Sequence, residues 1–362
     1  MSDPIKIEQN IGLTFDDVLL LPNYSEIKRQ ETDVTSFLTK KLKINLPLIS
    51  SPMDTVTASG MAIALGKLGG IGIIHRNLPI EREVEEVKKV KKENIPAAAA
   101  VGIGADFEDR VQALIKAGVD VLLIDSAHGF TKNVIEATKY ISQKFTQIEL
   151  ISGNVATQAG AKALIEAGAD ALRVGMGPGS ICTTRIVSGI GVPQITAIID
   201  TVVIAQKYGI PVISDGGCRF SGDIVKALAA GASSVMLGSL FAGSNESSGK
   251  LIMLKGKKYK KYRGMGSLSA MKEGSAARYG QDYRVGQEKK LIEEGVEAFL
   301  VYKGAVSDIV NQLIGGLRAG MYYVGADNIK ELQEKTRFIR ITHAGLIESH
   351  PHDIFKYLDS SC

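Results

Sequence analysis

The 362-residue sequence predicts a (β/α)8 barrel, and three observations carry the prediction. Short apolar, β-rich runs recur along the chain, each followed by a longer segment with helical spacing. The runs are continuously apolar rather than alternating, as strands buried on both faces must be. The phrase ALIxAGxD occurs at Ala113–Asp120 and again at Ala163–Asp170, with an echo, ALAAGAS, at 227–233, so one strand–helix unit is repeated. Eight such units fit a closed parallel barrel better than an open doubly wound sheet, which would tolerate seven.

In order, the strands are PLISS (47–51), GIGII (70–74), AAAAV (97–101) and VLLID (121–125), then IELIS (148–152), ALRVG (171–175), PVISD (211–215) and SVMLG (234–238). AAAAV has the least β character and is placed by the repeat. Between the strands, segments such as FEDRVQALIKAG carry Val111, Leu114 and Ile115 at helical spacing, with Gly118 as the stop. Two stretches break the even spacing. Residues 75–96, between strands two and three, are highly charged; Val84, Val87 and Val90 with a Glu85–Lys89 pair read as an exposed covering helix. Residues 243–295, after the last strand, show neither period and read as a long structureless insertion of the lid or flap kind. Within it, Lys255–Arg263 is basic and punctuated by tyrosines, a solvated arm rather than a nucleic-acid patch. The whole of 1–362 is read as a single catalytic domain.

Composition is that of a soluble globular protein, with 45% hydrophobic and 23% charged residues. No signal or transit pattern opens the chain, and no apolar run has membrane-spanning length. A formal charge of +4 does not argue for a nucleic-acid partner. Cys182, Cys218 and Cys362 are odd in number and far apart, which speaks against disulfides and for the cytoplasm.

In such a barrel, chemistry sits on the loops that follow the strands. Here they read SSPMDTVT (50–57), DSAHG (125–129), SGNVAT (152–157), GMGPGSICTTR (175–185), SDGGCRFSGD (214–223) and GSLFAGS (238–244). Gly216–Gly217 and Gly238–Ser239, with Ser180 as a third donor, suit a phosphate held by backbone N–H groups. The same glycines could serve only tight turns. Asp215 beside a dianion would need hydrogen-bond donors, and a ribose diol is its natural partner. Cys182 stands in a loop of N–H dipoles near Arg185, which favours a thiolate nucleophile over a small packing residue. Cys218 reads as packing. No Cys/His cluster suggests zinc.

These motifs, with YRGMGS (262–267) and the Arg278–Tyr279 pair, resemble inosine monophosphate dehydrogenase. The resemblance runs from FDDVLLLP (15–22) to HAGLIESHPHD (343–353). It implies that Cys182 adds to C2 of the IMP purine, that hydride passes to NAD, and that a mobile flap then brings Arg278 and Tyr279 to activate water, assisted by Thr184. It implies IMP contacts at Ser51, Met53, Ser180, Asp215, Gly217, Gly238, Ser239, Tyr262, Gly264, Met265 and Gly266, with Glu294 on the purine. Asp125, Ser126, Asn154 and Gly175 fall on the nicotinamide–ribose side. No G-x-G-x-x-G occurs, so NAD would lie on barrel loops rather than on a Rossmann domain. The resemblance further implies a potassium ion (K+) on carbonyls of Gly177, Gly179 and Cys182, joined by Glu348, Ser349 and His350 of a neighbouring subunit in a homotetramer.

Two departures stand out. Most members insert a pair of regulatory nucleotide-binding modules between strands two and three, and 75–96 leaves no room for them. In DSAHG, Ala127 and His128 replace small polar residues, so the adenosine end of the NAD site is expected to differ. The nearest rival is GMP reductase, against which stand YRGMGS, the Arg278–Tyr279 pair and GVPQITAI (191–198). A nucleotide sensor and a flavin barrel are further alternatives.

Overall fold

The computed structural model describes residues 11–281, 286 and 290–353. Eight parallel strands close into a barrel: β1 (Leu48–Ser50), β2 (Ile71–Ile74), β3 (Ala98–Val101), β4 (Val121–Asp125), β5 (Glu149–Val155), β6 (Ala171–Val174), β7 (Val212–Asp215) and β8 (Ser234–Leu237). Closure is made by β8 on β1, with Val235 opposite Leu48. Each of the eight expected runs forms one strand. The largest boundary difference is at β5, which continues to Val155 through a register irregularity between Gly153 and Val155.

The strands read as continuously apolar because each face has its own core. Ile49, Ile71, Ile73, Leu123, Ile213 and Met236 pack with Ala98 and Ala100 in one cluster, which Leu38 and Ile44 join. The alternate residues, among them Leu48, Ile74, Ala99, Val101, Leu122 and Leu172, pack in the larger cluster that includes the helices. AAAAV is a strand because the barrel supplies its ladder partners and alanine fills the space its neighbours leave.

The covering helices are α1 (Ser59–Lys67), α2 (Ile80–Lys91), α3 (Phe107–Lys116), α4 (Lys132–Lys144), α5 (Gln158–Glu166), α6 (Gln194–Ala205), α7 (Ser221–Ala229) and α8 (Val306–Val324). Thr131 and Thr157 cap α4 and α5, accepting from the N–H groups of Val134 and Gly160. The last helix packs on α7 and α1 and so completes the ring. Between β2 and β3 the chain has α2 and no further domain. As expected α2 covers the barrel, with Val87 and Val90 buried, but it is not wholly exposed. Glu83 is buried against Arg110 of α3, and burial, outweighing that arginine, pushes its carboxyl up to about 8.

The stretch after β8 corrects the expectation of a structureless insertion. It forms an antiparallel sheet of β9 (Leu251–Leu254), β10 (Lys257–Arg263) and β11 (Glu297–Val301). The hairpin between the first two turns at Lys255 and Gly256, both at positive φ. A lysine-rich strand carries little β signal, and its second partner lies far along the chain, so local reading misses it. Nor is the basic run simply a solvated arm: Lys260 is buried and its ammonium donates to the Ser247 carbonyl at 2.8 Å. Short helical turns over Leu268–Tyr279 then lead to Arg278. Residues 282–285 and 287–289 of the expected insertion, and Cys362, lie outside the described residues. Among the described residues no helix is long and apolar enough to cross a membrane.

Candidate active site

A cavity of about 190 Å³ opens where the barrel strands end, lined mainly by the loops after β1, β6, β7 and β8, with Ala127 after β4 and Asn154 of β5, and by the stretch between β10 and β11. The loop after β6 forms its floor. Gly175 has φ +147°, and a Cβ there would lie 2.2 Å from the Asp215 carbonyl, so only glycine lets this loop touch the end of β7. Gly177, at φ +79°, makes room for Arg185, whose Nε and Nη2 donate to the carbonyls of Met176 (3.2 Å) and Val192 (2.6 Å). Arg185 is therefore a strut of the loop, and the expectation that it serves the thiolate is corrected: its hydrogen bonds go to backbone oxygens.

Cys182 lines the cavity, half-buried, with its Sγ 3.2 Å from Thr184 Oγ1. The loop is stapled to the later stretch by two backbone bonds, Thr183 N–H to the Glu294 carbonyl and Val296 N–H to the Ile181 carbonyl, both 3.0 Å. Glu294, Gly264 and Met265 reach the cavity by that pairing.

Gly217, Gly238, Ser239, Ser180, Ser51 and Met53 also line the cavity. Tyr262 is buried beside them; its hydroxyl bonds Ser180 and approaches Met53 Sδ at 3.9 Å. Burial pushes that phenol up, so it stays neutral and able to donate. Asp215 keeps one carboxylate oxygen on Arg173 Nε and Asn154 Nδ2, each at 2.9 Å. Its other oxygen accepts from no described residue, and the side chain remains 17% exposed, free for a diol.

Below this lies a charged cluster. Arg173 spans from Asp215 to Asp125, donating to Asp125 Oδ1 at 2.6 Å. Arg278 pairs with the same Oδ1, and its carbonyl accepts from Ala127 N–H at 3.1 Å. Burial pushes the Arg278 guanidinium below the ordinary arginine range, Tyr279 opposing and Arg76 reinforcing the shift. Burial raises Tyr279, against the pull of Arg278. Cys218 is buried, which raises its thiol well above the ordinary value and suits packing.

Most of the residues singled out in the sequence thus meet in one cavity: Cys182, Thr184, Arg278 and Tyr279, then Ser51, Met53, Ser180, Asp215, Gly217, Gly238, Ser239, Tyr262, Gly264, Met265 and Glu294, and finally Asn154, Gly175, Gly177 and Gly179. Gly266 does not line it; a Cβ there would strike the Tyr279 ring at 2.8 Å, so it backs that ring. Asp125 and Ser126 lie buried behind Ala127. Glu348, Ser349 and His350 are exposed and away from the lining, with His350 against Phe220. Arg173 was missed by sequence reading, though a charged residue inside the apolar run ALRVG signalled it. So was Arg263, which ties Asp54 (2.5 Å) to Glu273 (2.5 Å).

The carbonyls of Gly177 and Cys182 accept no hydrogen bond from any described residue, while that of Gly179 accepts from Cys182 N–H at 3.1 Å. Such hard, uncommitted oxygens fit an alkali cation. No described group of His, Cys, Asp and Glu side chains would hold a metal. On the far side, the buried Asn154 Oδ1 and Asp125 Oδ2 lack hydrogen-bond partners, which fits a polar ligand such as a nicotinamide ribose.

A family model described as "IMP dehydrogenase / GMP reductase domain" matches residues 12–352. The chain is similar to the inosine-5'-monophosphate dehydrogenase of Borreliella burgdorferi, 46% identical over 97% of this chain and 99% of that protein. The Cryptosporidium parvum dehydrogenase is 47% identical over 95% of each chain. That of Aquifex aeolicus is 43% identical over 97% of each. The last alignment runs over 481 positions, more than the 362 residues here, so that relative carries inserted sequence this chain lacks.

Proposed function

The chain belongs to the IMP dehydrogenase / GMP reductase family, and from that premise we propose that it oxidises inosine monophosphate to xanthosine monophosphate in guanine nucleotide synthesis, with NAD⁺ as oxidant. The observation that carries the reading is the convergence of Cys182, Thr184, Arg278 and Tyr279 on one cavity beside a glycine-lined end fit for phosphate.

NAD⁺, when bound, supplies the hydride acceptor. The chain's own residues do the rest. The Cys182 sulfur adds to C2 of the purine, and the C2 hydrogen departs with its electron pair, leaving the purine bonded to sulfur. Water then attacks C2, losing a proton to the Arg278–Tyr279 side with Thr184 assisting, and the C–S bond breaks to return the thiolate. The sum consumes IMP, NAD⁺ and water and yields xanthosine monophosphate, NADH and a proton. Asp215 orients the ribose, while Gly217, Gly238, Ser239, Ser180 and Tyr262 hold the phosphate. Asn154, Asp125 and Ser126 serve the nicotinamide side, which Arg278 occupies here through its pair with Asp125. The part of 243–295 that carries Arg278 and Tyr279 would therefore have to open for NAD⁺ and close for water attack. Potassium on the carbonyls of Gly177, Gly179 and Cys182, with Glu348, Ser349 and His350 from a neighbouring subunit of a tetramer, would brace the nucleophile loop.

The test is NADH absorbance after adding IMP and NAD⁺, with and without potassium, beside GMP with NADPH. IMP-dependent NADH that rises with potassium supports the reading. NADPH loss with GMP would instead make the chain a reductase.

A further inference from the structure

Three guanidinium groups converge on the buried Asp125 carboxylate. Arg173 and Arg278 share its Oδ1, and Arg76 Nε approaches Oδ2 at 3.7 Å. Two of the three have a task in the reading above: Arg278 serves water, and Arg173 bridges to Asp215. Arg76 has none. It comes from the HRN stretch after β2, does not line the cavity, is 11% exposed, and its Nε has no hydrogen-bond partner. The backbone nevertheless makes room for it. A Cβ at Gly102 would lie 2.9 Å from its guanidinium carbon. A cation held dry and incompletely bonded is costly, and its position beside the reacting groups calls for a reason.

We propose that Arg76 is a positioning residue for the water-activating step, acting on Arg278 through the Asp125 carboxylate that they share. The inference rests on the assignment of Arg278 to water activation.

Charge arithmetic in the cluster supports it. Arg76, Arg173 and Arg278 stand against Asp125 and Asp215, a surplus of one positive charge. Arg76 and Arg173 sit on the barrel itself, so the surplus bears on Arg278, which arrives from outside. Without Arg76, the Asp125 carboxylate would answer only to Arg173 and Arg278, and more of its charge would keep the Arg278 guanidinium protonated and unable to take a proton. With it, the carboxylate is shared, and Arg278 Nε is left without a hydrogen-bond partner. The other groups facing Arg278 are Tyr279 and, across that ring, Cys182 and Glu294. Arg76 itself faces Asp106, Glu83 and Tyr279, which favour its charge, and Arg110, which opposes it.

The test is Arg76→Met in the full chain, reading the first-turnover NADH burst and steady-state turnover from about pH 6 to about pH 10. The burst should persist. Turnover should fall about tenfold near neutrality, with its acid limb moved up by about one unit, because removing a like charge lets Arg278 hold its proton to higher pH. Arg76→Lys should restore the wild-type profile. A limb that does not move in Arg76→Met would overturn the inference, as would equal losses of burst and turnover that Arg76→Lys fails to rescue. Wild-type protein that gives no IMP-dependent NADH would overturn the dehydrogenase reading itself, and this inference with it.

Discussion

At the scale of single residues, Cys182 and Arg278 divide the proposed reaction between them. Cys182→Ala should abolish IMP-dependent NADH formation; production above background in that variant would remove the nucleophile. Arg278→Ala should leave the NADH burst and slow hydrolysis, so that purine bound to Cys182 accumulates in acid-quenched samples. Loss of the burst instead would mean the arginine acts earlier. Arg173 has a structural consequence of its own. It bridges the buried Asp125 and the part-buried Asp215. Arg173→Met should therefore destabilise the fold by about 1–3 kcal/mol, the cost of leaving a buried acceptor without its donor while Arg278 and Arg76 remain beside Asp125, measured by urea unfolding. These residues were unequally legible. Cys182 could be found because a cysteine in a glycine loop has no packing purpose. Arg185 could not be judged, because only the folded loop shows its guanidinium turned to the carbonyls of Met176 and Val192.

At the scale of elements, α2 and α3 are joined by a buried Glu83–Arg110 pair, which gives the fold a pH dependence. The Glu83 carboxyl is raised from 4.5 to about 8, burial being the largest cause. As pH climbs through 4.5, the unfolded chain releases this proton while the folded one keeps it. Stability from this group is thus full below about pH 4.5 and lost as pH rises towards 8. Glu83→Gln cannot ionise, so its urea midpoint should change less between about pH 5 and about pH 8 than that of the wild type. An equal slope in both would mean that the pair titrates elsewhere. The loop after β6 allows a second check. Gly177→Ala places a side chain at φ +79°, against Arg185 at 2.6 Å. The backbone term alone is about 1–2 kcal/mol, and displacing the strut should cost activity beyond that, seen as a fall in kcat with the fold retained by circular dichroism. The sheet of β9, β10 and β11 was illegible because β10 is rich in lysine and pairs with β11 some forty positions further along the chain.

At the scale of the whole molecule, the proposed cation site is incomplete in one chain: Glu348, Ser349 and His350 are exposed and do not line the cavity. The proposed tetramer predicts four chains per particle by light scattering, and Glu348→Ala should weaken activation by potassium without removing IMP binding. A monomer fully activated by potassium would refute the shared site. The barrel itself could be read from the chain, since strands covered on both faces must be apolar throughout and their repeat fixes how many there are. Loop chemistry was legible for a related reason: barrel topology sends every post-strand loop to the same rim. What the fold alone decided is which charges meet there. Arg76, Asp125, Arg173, Asp215 and Arg278 come from five separate segments, and electrostatic coupling depends on distance in space, which no local pattern of residues encodes.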